Sequence, residues 1–201
     1  VLIGYPCAYV LARQVKGRSR EALFLLIILP FWSNSLVRIF SWAIVLRGNG
    51  IIDNTLNAIL PFEVSVNLMF SYTAVVIGLV HSYLPYVILT SYLALQAIDE
   101  SVIEAARSLG APFRTILFRL VLPLSLPGLA AGAVLIFVPV AGSFMEPRIL
   151  GGKNGIFYGT LIEDQFVAVF NWPLGAALSF ILLAVVLVIL AAASPALRRA
   201  R

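Results

Sequence analysis

One cysteine, Cys7, and one histidine, His81, are all the thiol and imidazole chemistry in the 201 residues. A lone cysteine forms no disulfide within its chain, and together the two leave no ligand spacing of a zinc or haem site. Charge is scarce as well, at 11% of positions, with only nine acidic residues. A phosphate loop is missing: Gly152-Lys153 is followed by Asn154, and position 147, where the first glycine belongs, is Pro147. Neither a Gly-x-Ser-x-Gly elbow nor a His-Glu-x-x-His pair occurs. These absences argue against metal chemistry, ATP hydrolysis and nucleophilic catalysis by the chain itself.

Apolar residues are what the chain has in abundance. They fill 61% of it, and the mean hydropathy is +1.01, well beyond the balance of a soluble domain. The expected fold is an all-α polytopic helical bundle in a single domain, 1–201, with the lipid bilayer as its solvent. Because a bilayer core about 30 Å thick needs roughly twenty helical residues, long apolar runs mark the spans. Five stand out: Val1 to Ala12, Ala22 to Leu46, Leu68 to Gln96, Pro127 to Phe144 and Leu174 to Ala193. The first is short, starts at Val and lacks the basic start of a signal peptide, so it reads as the remainder of a longer helix. Pro30, Pro85 and Pro139 fall inside runs, as membrane helices tolerate, and predict kinks.

The net charge of +5 does not imply nucleic acid, because the basic residues cluster beside apolar runs. Arg13, Lys16, Arg18 and Arg20, then Arg107, Arg114 and Arg119, then Arg198, Arg199 and Arg201 occupy alternate connections; the others hold only Arg47, Arg148 and Lys153. Ten against three predicts that the 13–21 loop, the 97–126 loop and the C-terminus are cytoplasmic, and that 47–67 and 145–173 lie outside. With Val1 then outside, one more helix is expected before it, six spans in all.

The 97–126 loop has the grammar of two short helices. Ser101 with Glu104 predicts a capping box, and Ala105-Ala106 are strong helix formers. Gly110 suits the left-handed residue after a helix, and Pro112 the first turn of the next. Phe113, Ile116, Leu117 and Leu120 form an apolar stripe there, with the membrane surface and a partner's groove as equally good covers.

Glu104-Ala105-Ala106, three residues, Gly110, nine residues, Leu120, one residue and Leu122-Pro123 resemble the EAA motif of permeases from binding-protein-dependent ABC importers, with Leu120 where Ile is usual. The resemblance implies that Glu104, Ala105, Ala106 and Gly110 dock on a cytoplasmic ATPase dimer, with Pro123 ending the element. It also implies ATP and Mg bound by that ATPase and no cofactor in this chain. An external or periplasmic substrate-binding protein, a second permease subunit and a place in the bacterial inner membrane follow likewise. Leu29-Pro30-Phe31-Trp32, Arg47-Gly48-Asn49-Gly50, Leu150-Gly151-Gly152 and Asn171-Trp172-Pro173 are similar to the spermidine/putrescine branch. That points to a polyamine or related small ion. Two positions that carry acids in the polyamine members read Ser143 and Arg148 here, with Glu146 between them.

Polar residues in or at the ends of spans are the candidate solute pathway: Asn34, Arg38, His81, Ser143 and Glu146. Arg38 also fits snorkelling to the outer surface and His81 a packing role. An ion-coupled secondary transporter or channel subunit is the alternative. It calls for acids near the midplane, whereas the acidic residues lie in loops or at span ends.

Overall fold

The computed structural model describes residues 1–48, 50–59 and 67–198, with the side chains at 53, 56 and 193–198 excepted. Asn49 and Glu63, and the tail residues Arg199 and Arg201, lie outside the described residues. Every described element is helical. Three helices are long and apolar enough to cross a membrane: Tyr72–Gln96, Phe113–Ala141 and Trp172–Ala192. A fourth crossing is possible by length only as a broken pair, Arg18–Trp32 with Ser35–Leu46.

The run from Ala22 to Leu46 is therefore two helices with a break between them, not a continuous helix kinked at Pro30. Helix α2, Arg18–Ile28, runs through Pro30 as a 3-10 turn, Leu29–Trp32, and the chain breaks two residues later. Asn34 takes an extended backbone, ψ 137°, and its Oδ1 accepts the Leu36 N–H at 2.8 Å, starting α3, Ser35–Leu46. A side chain that caps a new helix competes with the old one for the backbone. Ser33 and Asn34 thus sit in the break, while Arg38 belongs to α3 alone.

Two short helices were not foreseen in the connections: α4, Ile51–Ile59, and α9, Tyr158–Val167. Helix α5, Tyr72–Gln96, starts at Ser71, whose Oγ accepts the Ala74 N–H at 3.2 Å, and continues through Pro85. The last helix, α10, Trp172–Arg198, starts where Asn171 Oδ1 accepts the Leu174 N–H at 3.3 Å, with Pro173 in the first turn. Phe180 and Val188 on it are about 70% exposed, a surface that only lipid or another membrane helix covers comfortably.

The second loop helix and the next span are also one element. Helix α7, Phe113–Thr115, passes through a π-helical segment, Ile116–Val121, into α8, Leu122–Ala141. The wider turn takes up Pro123, with Leu122 N–H bonding five residues back to Leu117. Pro123 consequently lies inside a helix and does not end the element.

The chain divides into two compact units, Val1–Pro30 with Tyr83–Val138 and Val186–Arg201, and Phe31–Ser82 with Pro139–Val185. In the first, Ala8, Ile88, Leu95, Ile98, Ile103, Ile116 and Val121 form the core. Helix packing there depends on small residues, because lipid supplies no hydrophobic drive between spans. A Cβ on Gly132 would stand 2.3 Å from Thr90 Oγ1, on Gly128 2.5 Å from Ala94 Cβ, and on Gly4 2.7 Å from Val87 Cγ1. Tyr5 Oη and Ser125 Oγ share a hydrogen bond at 2.9 Å. In the second unit Ile39, Leu46, Ala74, Val75 and Leu150 are the core, and Gly78 admits Leu150 in the same close way.

Candidate functional site

The loop helix α6, Glu100–Ser108, is fixed at both ends by its own sequence. Its N-cap is Asp99, not Ser101: Asp99 Oδ1 accepts the Ser101 N–H at 3.0 Å. That bond, with a further one from the Ser101 side chain, holds the Asp99 carboxyl below its ordinary 3.8. The expected capping box fails because the helix starts earlier and places Ser101 inside its first turn. At the other end Gly110 has φ +78°. Gly110 N–H bonds Arg107 O at 2.9 Å and Ala111 N–H bonds Ala106 O at 3.1 Å, the Schellman pairing that a left-handed glycine permits.

Ile103 is buried, 3% exposed, and Ala106 packs half-buried beside it. The other side of α6 is uncovered. Val102 is 41% exposed and Leu109 88%, and with exposed Ala105 they stand at i, i+3 and i+7, one helical face. Glu104 is exposed next to them and bears no hydrogen-bonded role in the cap. The apolar stripe read on the following helix is different: Ile116 is buried and Leu120 packs on the same core, leaving Phe113 exposed against Tyr9 at 6.0 Å. The chain covers most of that stripe itself, and the uncovered one is on α6.

Arg13, counted in the sequence only as a topology charge, is fastened here. It lies in the π-helical segment Val10–Gln14, after α1, Gly4–Tyr9. Its Nη2 donates to Leu95 O at 2.7 Å and Ile98 O at 2.8 Å, and its Nη1 pairs with the Glu100 carboxylate. No sequence spacing signals partners more than 80 positions away. Gly128 and Gly132 also matter here, and their four-residue separation in an apolar run is a readable small-residue signal.

All five candidate pathway residues fall in the second unit. Asn34 caps α3, and Arg38 Nη1 donates to Ser33 O at 3.3 Å. His81 packs edge-on to Trp42, ring centroids 5.4 Å apart. Ser143 donates to Glu146 at 2.5 Å, and Glu146 is 7% exposed. A Cβ on Gly78, one turn before His81, would lie 3.9 Å from Glu146 Cγ. Arg148 is paired with Glu163 at 2.8 Å and Asp164 at 2.5 Å. Its charge is thus already answered by two acids of α9 that sequence reading had left unassigned.

A broken apolar helix pair, three longer spans and a capped loop helix with one bare face define a multi-span membrane protein. The family described as binding-protein-dependent transport system inner membrane component matches residues 4–198, and the chain belongs to it. It is 37% identical over 179 residues to the spermidine/putrescine transport system permease protein PotB of Haemophilus influenzae, covering 89% of this chain and 62% of that protein. The Escherichia coli protein of the same name is 36% identical over 182 residues, covering 90% and 66% respectively. The chain therefore spans less than two thirds of the length of these relatives. In fold it is similar to a bacterial alginate ABC transporter solved in complex with an alginate pentasaccharide-bound periplasmic protein. The TM-score is 0.82 at 17% identity, over 99% of this chain and 72% of that one.

Proposed function

We propose that this chain is the membrane-spanning subunit of an ATP-driven importer in the bacterial inner membrane, docking a separate ATPase dimer through α6. The observation that carries the proposal is the bare face of Val102, Ala105 and Leu109 beside Glu104, on a helix whose two ends are fixed by Asp99 and Gly110. A rigid helix with an apolar face, a protruding leucine and one acid fits a groove on a soluble protein. The basic residues of the flanking connections favour a cytoplasmic position for it and for the C-terminus.

ATP and Mg are bound and ATP is hydrolysed by the ATPase. An external binding protein delivers the solute, and a second permease subunit completes the pathway. Membership of the family and the likeness to two spermidine/putrescine permeases support a polyamine or related small ion as that solute. The cycle is alternating access: closure of the ATPase pair moves α6, and the spans open to receive the solute. The test is co-expression of the full-length chain with its candidate ATPase and measurement of spermidine uptake. Glu104→Arg is expected to weaken ATPase association and uptake together. Intact assembly and intact ATP-dependent uptake in that variant refute the docking role.

A further inference from the structure

Arg13 is mostly buried, its side chain 11% exposed, whereas Lys16 and Arg18 of the same cluster are exposed. A charge that serves only membrane topology is best left in water, since burying it carries a large desolvation penalty. Its Nε is buried without a hydrogen-bond partner, a cost that an apolar residue of similar length avoids. What the guanidinium gains is three acceptors at one junction. Leu95 O belongs to the last turn of α5, where the helix dipole favours a cation. Ile98 O lies in the link between α5 and α6, and Glu100 is the first residue of α6.

That link is only three residues, 97–99, and without the guanidinium it is the natural place for α6 to pivot. We propose that Arg13 is the positioning residue that locks α6 to the end of α5 and to the N-terminal helical segment. A displacement of α6 then reaches both helices rather than bending the link. The proposal rests on the docking role of α6, and it assigns Arg13 no contact with solute or nucleotide. Arginine suits the task because its planar fork serves several acceptors in fixed directions.

The test uses the full-length chain in its assembled transporter, reconstituted in liposomes with spermidine as the probe. Two quantities are read: spermidine moved per ATP hydrolysed, and the spin-label distance between Gln14→Cys and Ser108→Cys, with and without ATP, in a Cys7→Ser background. With Arg13 present the distance is expected to hold its value through the nucleotide change. Arg13→Met, which keeps the packing and removes the donors, is expected to let it shift and to lower the transport ratio about tenfold while the ATPase stays bound. Arg13→Lys should restore part of both. An unchanged ratio and an unchanged distance in Arg13→Met overturn the proposal. If Glu104→Arg abolishes uptake in the same assay, only the role of Arg13 falls; if Glu104→Arg is also silent, the docking role of α6 falls with it. Should Arg13→Met not accumulate, Glu100→Gln at the exposed partner is read instead. It is expected to lower the ratio roughly twofold, and an unchanged ratio there overturns the proposal equally.

Discussion

The two compact units place their charged side chains differently. In the unit with the loop, Asp99 and Arg13 bind backbone groups at the two ends of the 97–99 link, with Arg13 also pairing with Glu100, and the face of α6 left over is small or apolar. In the other, acids meet side chains: Ser143 with buried Glu146, and Arg148 with Glu163 and Asp164. The first arrangement holds a loop helix in place and the second balances charge between side chains, while side-chain caps start helices in both units. Every proposed docking residue lies in the first unit and every candidate pathway residue in the second. Coupling and solute recognition should therefore be separable by mutation.

The largest effect is expected from Gly110→Pro. Proline is held near φ −65° where the chain needs +78°, and it removes the N–H that bonds Arg107 O. ATP-dependent uptake should fall by more than about tenfold with loss of ATPase co-purification, given a strain of order 1–3 kcal/mol. Gly132→Leu comes next. Its Cβ meets Thr90 Oγ1 at 2.3 Å, so overpacking is expected to cost about 1–3 kcal/mol and lower the thermal midpoint in detergent. Thr90→Ala in the same chain should recover part of the loss.

Ser143→Ala leaves Glu146 without its donor, at a cost of about 1 kcal/mol. Spermidine uptake should drop severalfold while ATPase association stays at the wild-type level. If this variant loses the ATPase as Gly110→Pro does, the division of roles between the units is wrong. The smallest effect belongs to Asp99→Ala. The depressed carboxyl means that the cap stabilises α6 fully above the ordinary carboxyl value and loses that contribution as pH falls through the folded one. Hydrogen exchange at the Ser101 amide should be faster in the variant at neutral pH, and the difference from wild type should vanish in acid.

Sequence patterns reached the spans and the loop because both are written locally. Apolar length marks α5 and α10, and Gly110 announces its left-handed turn by being glycine there. The break at Asn34 is hard to read because Pro30, four residues earlier, offers a more familiar cause, while the capping bond that decides it spans only two residues. Pro123 misled in the reverse sense: a π-helical turn absorbs it, and wide turns have no sequence signature of their own. For Glu104, Ala105 and Gly110 the pattern gave exposure as well as position, yet the protruding Leu109 and the inward-facing Ala106 required the packing of Ile103 to be seen. Arg13 was out of reach, since nothing near it in the chain says which carbonyls it will find.

The glycine contacts of α5 have a mechanical meaning. Where Gly132 meets Thr90, Gly128 meets Ala94 and Gly4 meets Val87, not even a methyl group fits between neighbours. Close-packed joints of this kind have low compressibility, so they carry no free play. A lever with loose bearings wastes the first part of each stroke; bearings tighter than one carbon atom waste none.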